Sequence, residues 1–170
     1  MHHHIDIYCE RVDSSFWAEP VNALTNLSFI VAAICAFLYA KKNDELDYRS
    51  VSLISLIFII GVGSALFHTF AVQWAMLADV IPIAFFQLGF LWFYSRDVIR
   101  MKTIASIGLM VVFFVAMYGA GYFLKHALNG SLAYSPALAF VAGFGIWHTI
   151  NIMRDRWLLL AAAGIFVVSM

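Results

Sequence analysis

Charged residues are scarce in this chain of 170 residues. Only 12% of them are Asp, Glu, Lys or Arg, whereas a water-soluble domain carries about 25%. The ten basic residues balance the ten acidic ones, so no net charge is present to attract a nucleic acid. The length is that of about one domain, so length and composition together exclude a soluble multi-domain enzyme. The balanced charge gives no reason to expect a nucleic-acid partner.

Cysteine is also scarce, and the chain lacks repeats, low-complexity tracts and linkers. Cys9 lies in the polar N-terminal segment and Cys35 in an apolar run, so we do not expect them to pair or to form a thiolate metal site. The first twenty residues lack a basic region followed by an apolar stretch, so we expect no cleavable signal peptide. We therefore predict one domain over residues 1–170.

Apolar residues dominate what remains, at 64% of the chain. A transmembrane helix needs about 20 consecutive apolar residues, and the sequence contains six apolar runs near or below that length. These runs cover about residues 20–40, 50–70, 75–94, 103–124, 134–152 and 157–170. The pattern predicts an all-α polytopic transmembrane helical bundle over residues 20–170, preceded by an outer N-terminal segment over residues 1–19.

The sixth run is shorter than the others. It begins at Trp157 and has fourteen residues, or about 21 Å of helix against a hydrocarbon core of about 30 Å. A helix that ends inside hydrocarbon leaves carbonyl groups without partners. We therefore expect the sixth helix to be incomplete and the natural protein to continue beyond Met170.

The basic residues alternate between the two sides of the predicted membrane. Eight of the ten lie in three loops that share one side: Lys41, Lys42, Arg49, Arg96, Arg100, Lys102, Arg154 and Arg156. The positive-inside rule places these loops in the cytoplasm and the N-terminus outside or in a lumen. Because the loops are short and no retention signal is visible, we favour a bacterial inner membrane over an organelle membrane.

Polar side chains within the predicted spans mark a candidate site, because an ionisable group in a bilayer is costly and rarely faces lipid. Ser64 and His68 are four residues apart on the second span and therefore share a helix face. Asp79 begins the third span on the same side of the membrane, so it can meet His68. From the residues alone, the pair is either a structural hydrogen bond between two helices or part of a metal or proton-transfer site.

The N-terminal segment is rich in carboxylates. Its acidic residues are Asp6, Glu10, Asp13 and Glu19, and Asn22 and Asn26 follow at helical spacing. Calcium takes about six to eight oxygen ligands of this kind. The alternative is a solvated acidic surface, with Glu19 stabilised near the positive end of the first helix.

Three stretches of the sequence resemble the alkaline ceramidase family, and the resemblance follows the chain in order. They are DIYCERVDSSFWAEPVNALTN at 6–26, GVGSALFHTF at 61–70 and MLADVIPIAF at 76–85. That family belongs to a superfamily of seven-helix membrane hydrolases that also includes the adiponectin/progestin-type receptors. The resemblance implies an integral-membrane amidase that cleaves the N-acyl bond of ceramide to a sphingoid base and a fatty acid.

The resemblance also implies roles for individual residues. His68 looks like the zinc ligand of the second helix, Ser64 like the serine beside the zinc, and Asp79 like the acid that acts on the zinc-bound water. Glu10 and Glu19 match calcium ligands of the family, and the resemblance makes Asp6 a third. The implied cofactors are Zn²⁺ and, on these acidic residues, Ca²⁺.

Two departures from the family pattern bear on the metals. Val12 stands where the family has an oxygen-bearing calcium ligand. Family members complete the zinc site with an H-x-x-x-H pair on a seventh helix, and this sequence has neither the pair nor the helix. Catalytic zinc usually takes three protein ligands, so we expect the chain as given to bind zinc weakly and to hydrolyse little.

The predicted function is thus a zinc-dependent membrane amidohydrolase whose partners are a ceramide-like lipid and the bilayer. Two alternatives stay open. One is a non-catalytic receptor-like or lipid-binding protein of the same architecture, and the other is a hydrolase of ester lipids.

Overall fold

The computed structural model of the protein describes residues 5, 9–124 and 127–169, and its elements are helical. Seven α-helices follow one another along these residues. They are α1 (Pro20–Thr25), α2 (Leu27–Lys42), α3 (Tyr48–Phe70), α4 (Gln73–Phe93), α5 (Thr103–Phe123), α6 (Ser135–Asn151) and α7 (Leu158–Ser169). A π-helical turn (Tyr94–Val98) continues α4, and a 3-10 helix (Ala127–Tyr134) precedes α6. The predicted all-α class is confirmed.

Within the described residues, four helical segments are long and apolar enough to cross a membrane. They are Pro20–Lys42, Tyr48–Phe70, Gln73–Val98 and Thr103–Phe123. These segments confirm the prediction of a polytopic membrane protein. The last two predicted runs form the shorter helices α6, with 17 residues, and α7, with 12.

The first predicted span is two helices rather than one. Glu19 precedes Pro20 at the start of α1, a position that suits proline because its missing N–H needs no partner there. The break falls at Asn26, whose side-chain amide donates to the carbonyl oxygen of Asn22 at 2.8 Å. A side chain bonded to the preceding turn in this way competes with the helix backbone.

The chain divides into two compact units, Met1–Tyr94 and Ser95–Met170. In the first unit, α3 is central and contacts α1, α2 and α4. In the second unit, α6 packs on α5 and on α7. The residues singled out by the sequence for chemistry lie in the first unit.

A sharp turn joins α3 to α4 and determines how the site is built. Only Ala71 and Val72 separate the two helices, and Ala71 adopts a left-handed conformation with φ 47°. The Ala71 N–H donates to the Phe67 carbonyl at 2.8 Å, and the Ala71 carbonyl accepts from Ile5 at 2.8 Å. This turn brings the end of α3 and the start of α4 together and ties the N-terminal segment to them.

Candidate active site

Helices α3 and α4 approach closely at Gly63. A Cβ atom at this position would overlap the carbonyl oxygen of Ala78 and lie 2.7 Å from its carbonyl carbon. Glycine is therefore required for the two backbones to touch here. The residues that follow, Ser64 on α3 and Asp79 on α4, are consequently held next to each other.

Ser64, His68 and Asp79 form one buried cluster. Each is less than a tenth exposed. The Ser64 hydroxyl and the His68 ring both lie close enough to the Asp79 carboxyl group to interact with it electrostatically. Among the described residues, no hydrogen-bond partner reaches Asp79 Oδ1, although this atom is buried. A buried acceptor without a partner is costly, so the cluster is suited to receive a further group.

His68 is held from its other side by Glu19. The Nδ1 atom of His68 lies 2.6 Å from Glu19 Oε2, and the glutamate is 2% exposed. A carboxylate accepts only, so Nδ1 carries the proton and any ligand role would fall to Nε2. Metal-binding histidines commonly present this arrangement, with a carboxylate on the second ring nitrogen.

Arg11 is the member of the site that the sequence did not reveal. Its Nε donates to Glu19 Oε1 at 2.6 Å, and its Nη2 donates to the main-chain carbonyl of His68 at 3.0 Å. The residue is 6% exposed. The signal that could have found it is its position as one of two basic residues outside the three basic loops, within a segment of carboxylates.

Glu19 is the ionised centre of this network. Burial acts to raise the pKa of Glu19, but hydrogen bonds from His68, Arg11 and Asn22 outweigh it and lower the pKa below its usual value. The negative charge of Glu19 is thus matched by the guanidinium of Arg11. His68 therefore meets a carboxylate that stays charged.

Glu10, which was also predicted to bind calcium, has a different role in this structure. The two carboxylate oxygens of Glu10 accept the backbone N–H groups of Val21 and Asn22 at 2.7 and 3.0 Å, in the first turn of α1, where such donors lack helical partners. Asp6 lies outside the described residues. Because the Arg11 guanidinium occupies Glu19 and adds a positive charge there, Glu10 and Glu19 as arranged here do not fit a calcium site.

The cluster contains side chains of the types that bind zinc, but too few of them to complete a zinc site. The described part of the chain contains no group of three or more His, Cys, Asp and Glu side chains that could hold a metal ion. His68 contributes one oriented imidazole, and Asp79 contributes a buried oxygen that accepts no hydrogen bond from the part of the chain that the structure describes. His68 and Asp79 therefore suit one side of a zinc site, which needs further ligands.

The comparisons with known proteins bear on the same residues. A family model described as Ceramidase matches residues 5–162, a range that contains Arg11, Glu19, Ser64, His68 and Asp79. A search of curated proteins and a search of solved structures each found no match. The match covers nearly the whole chain and confirms the family expected from the sequence. With its buried polar cluster among apolar helices, this chain belongs to the ceramidase family and is a ceramidase-like membrane hydrolase.

Proposed function

We propose that this protein is a zinc-dependent amidohydrolase that cleaves the N-acyl amide bond of ceramide-type sphingolipids. The observation that carries the proposal is the buried cluster of Ser64, His68 and Asp79, with a carboxylate oxygen to which no described residue donates a hydrogen bond. In the reaction, water adds to the acyl carbon and the C–N bond breaks. The products are a fatty acid and a sphingoid base.

His68 is the residue proposed to hold the zinc, through Nε2. Bound there, zinc would lower the pKa of water towards about 7 and polarise the scissile carbonyl. Glu19 keeps the ring in one orientation and in the tautomer that presents Nε2.

Asp79 and Ser64 are proposed to handle the proton and the charge. Asp79 accepts the proton of the attacking water and returns it to the leaving amine. Ser64, which lies beside the Asp79 carboxyl group, donates a hydrogen bond from its hydroxyl group to the oxygen that becomes negative at the acyl carbon. A donor in this role contributes about 2.7–4 kcal/mol where measured.

The location of the cluster bears on where the substrate is met. The cluster lies at the junction of α3 and α4, beside the N-terminal segment. If that segment faces outwards, as the distribution of basic loops predicts, the substrate enters from the outer leaflet. A bacterial inner membrane remains the membrane we propose.

Hydrolysis of matched lipids tests this proposal. Purified protein is incubated with ceramide and with an ester lipid of the same acyl chain, and the released fatty acid and bound zinc are measured. Because the chain lacks the family's second and third zinc histidines, we expect slow amide cleavage that zinc chelation abolishes, and loss of both this activity and the bound zinc in His68→Ala. The control is His148→Ala, since His148 bonds the Arg154 carbonyl in the second unit and should be dispensable. Activity retained in His68→Ala would refute the proposed metal site. Faster hydrolysis of the ester lipid than of ceramide would refute the proposed amide substrate.

A non-catalytic lipid-binding role is the second candidate. It is favoured by the lack of three grouped metal ligands among the described residues. On this hypothesis, the purified protein binds ceramide in a saturable manner, holds no stoichiometric zinc and releases no fatty acid. The same assay therefore separates the two functions.

A further inference from the structure

The guanidinium of Arg11 is surrounded by oxygen atoms from three parts of the first unit. It contacts Glu19 Oε1 at 2.6 Å and the main-chain carbonyl of His68 at 3.0 Å. Two more main-chain carbonyls, from Asp13 and Ser15, lie at 3.2 and 3.5 Å. One carboxylate and three carbonyl oxygens thus face a single buried positive charge.

This set of oxygens has the chemistry of a calcium site. Calcium in proteins is held by carboxylate and carbonyl oxygens, and both kinds converge here. The guanidinium, however, supplies five N–H donors and cannot lose its charge at physiological pH. A divalent ion on the same oxygens would have to approach a fixed positive charge in a buried place, where repulsion is strong.

The nearby carboxylates offer no second place for such an ion among the described residues. Glu10 binds the backbone N–H groups of Val21 and Asn22. Asp13 Oδ1 accepts the N–H of Ser15 at 2.8 Å. Glu10 and Asp13 are therefore engaged by backbone N–H groups, and Glu19 is engaged by Arg11 and His68.

We propose that Arg11 is a built-in cation that replaces a bound calcium ion at Glu19. It joins the N-terminal segment, the start of α1 and the end of α3 into one network. The network holds Glu19 against His68 without a divalent ion, so Arg11 acts as a positioning residue. The proposal concerns the stability of the first unit and does not depend on the proposed hydrolase activity.

Thermal unfolding of the unmodified protein is the first test. The midpoint is measured in detergent with a calcium chelator, with millimolar Ca²⁺, and with Mg²⁺ at the same ionic strength. We expect the three midpoints to coincide. A saturable rise of the midpoint with Ca²⁺ and not with Mg²⁺ would overturn the proposal, since it would reveal a calcium site that Arg11 does not replace.

Substitution of Arg11 is the second test. Arg11→Ala empties the position and leaves the oxygens facing one another, so we expect a lower midpoint that Ca²⁺ raises again in a saturable manner. Arg11→Lys keeps the positive charge, and we expect it to stay insensitive to calcium. Arg154→Ala is the control, because Arg154 forms an exposed ion pair with Asp155 at 3.5 Å, and its loss should leave both the midpoint and the calcium response unchanged.

The variants decide the proposal in either direction. If Arg11→Ala is obtained as folded protein only in the presence of Ca²⁺, this result supports the proposal as strongly as a rise of the unfolding midpoint with Ca²⁺ does. An Arg11→Ala protein whose stability ignores calcium, or that fails to fold with and without calcium, would contradict the claim that Arg11 stands in a cation's place.

Discussion

Glu19 is the residue on which the site depends most directly. Its two carboxylate oxygens bind two different partners, Arg11 through Oε1 and His68 through Oε2. A carboxylate that is 2% exposed is tolerated only because it is paired and hydrogen-bonded. The same group therefore contributes to stability and fixes the orientation of the proposed zinc ligand.

Replacement of Glu19 by glutamine should be strongly destabilising. Glu19→Gln leaves the Arg11 guanidinium buried without a negative partner, and breaking a buried pair in this way costs about 3–5 kcal/mol. The free energy of unfolding, measured in detergent with a denaturant, checks this value. The matched control is Glu45→Gln in an exposed loop, for which we expect a change within about 0.5 kcal/mol. Equal effects of the two substitutions would contradict the assigned role of Glu19.

At the scale of elements, the pair α3–α4 carries the candidate site, and two local features shape the pair. Gly63 lets the helices touch, and the turn at Ala71 and Val72 reverses the chain within two residues. The sequence predicted both helices and placed Ser64 and His68 on one face. The close contact between Gly63 and Ala78 could not be predicted from the sequence. A glycine shows that another helix backbone can come close, but it does not show which helix does so.

Gly63 should not accept a side chain. Gly63→Ala places a methyl group on the Ala78 carbonyl, so the helices must separate at a cost of about 1–3 kcal/mol, and Ser64 must move away from Asp79. Unfolding free energy and hydrolysis are both expected to fall. Gly108→Ala on α5 is the control, since a Cβ there meets no atom within 4 Å, and alanine should leave stability unchanged or slightly raised. A fully active Gly63→Ala protein would be inconsistent with the close contact described.

Asp47 begins α3 and should make its stability depend on pH. Its carboxylate accepts the N–H groups of Arg49 and Ser50, and the Ser50 hydroxyl oxygen accepts the backbone N–H of Asp47, which completes a capping box. The Ser50 backbone N–H is the main cause that lowers the pKa of Asp47 below 3.8. The cap therefore contributes fully above pH 3.8 and is lost as the pH falls through the lower pKa of the folded state.

Two substitutions at Asp47 separate the cap from the charge. Asp47→Ala is expected to lower the free energy of unfolding by about 0.5–2 kcal/mol near neutral pH. Asp47→Asn should keep most of the cap but lose the part of the acid dependence that belongs to this residue. Unfolding curves recorded from neutral pH down to about pH 3 check both expectations. If the free energy of unfolding falls with decreasing pH equally in Asp47→Asn and in the unmodified protein, Asp47 does not cause this pH dependence.

For the whole molecule, the prediction that can be tested most directly is its orientation in the membrane. Both cysteines are free and exposed at the protein surface, but Cys9 precedes the first span and Cys35 lies within it, on α2. Surface exposure therefore means contact with water for Cys9 and contact with lipid for Cys35. The two thiols report on different solvents.

Thiol labelling in intact cells distinguishes the two orientations. If the N-terminus faces outwards, as the basic loops predict, a membrane-impermeant maleimide should label the unmodified protein and Cys35→Ser but not Cys9→Ser. Labelling of Cys9 only after the cells are opened would reverse the predicted orientation. Labelling of Cys9→Ser in intact cells would instead show that Cys35 is not covered by lipid.

The sequence by itself determined the all-α class, the membrane environment and the family. These follow from runs of apolar residues and short motifs, because a bilayer requires about 20 apolar residues and internal backbone hydrogen bonds wherever the chain crosses it. The sequence also predicted that His68 and Asp79 lie near each other, since a short link joins their helices.

Only the tertiary structure decided what surrounds His68. Glu19 precedes His68 by 49 residues and Arg11 precedes it by 57, so no helical period or local motif relates them. A carboxylate in a polar segment can bind calcium, cap a helix or pair with an arginine, and its residue type is the same in each case. The folded chain selected among these roles, because burial makes an unpaired charge too costly and the turn at Ala71 brings the end of α3 within reach of the N-terminal segment.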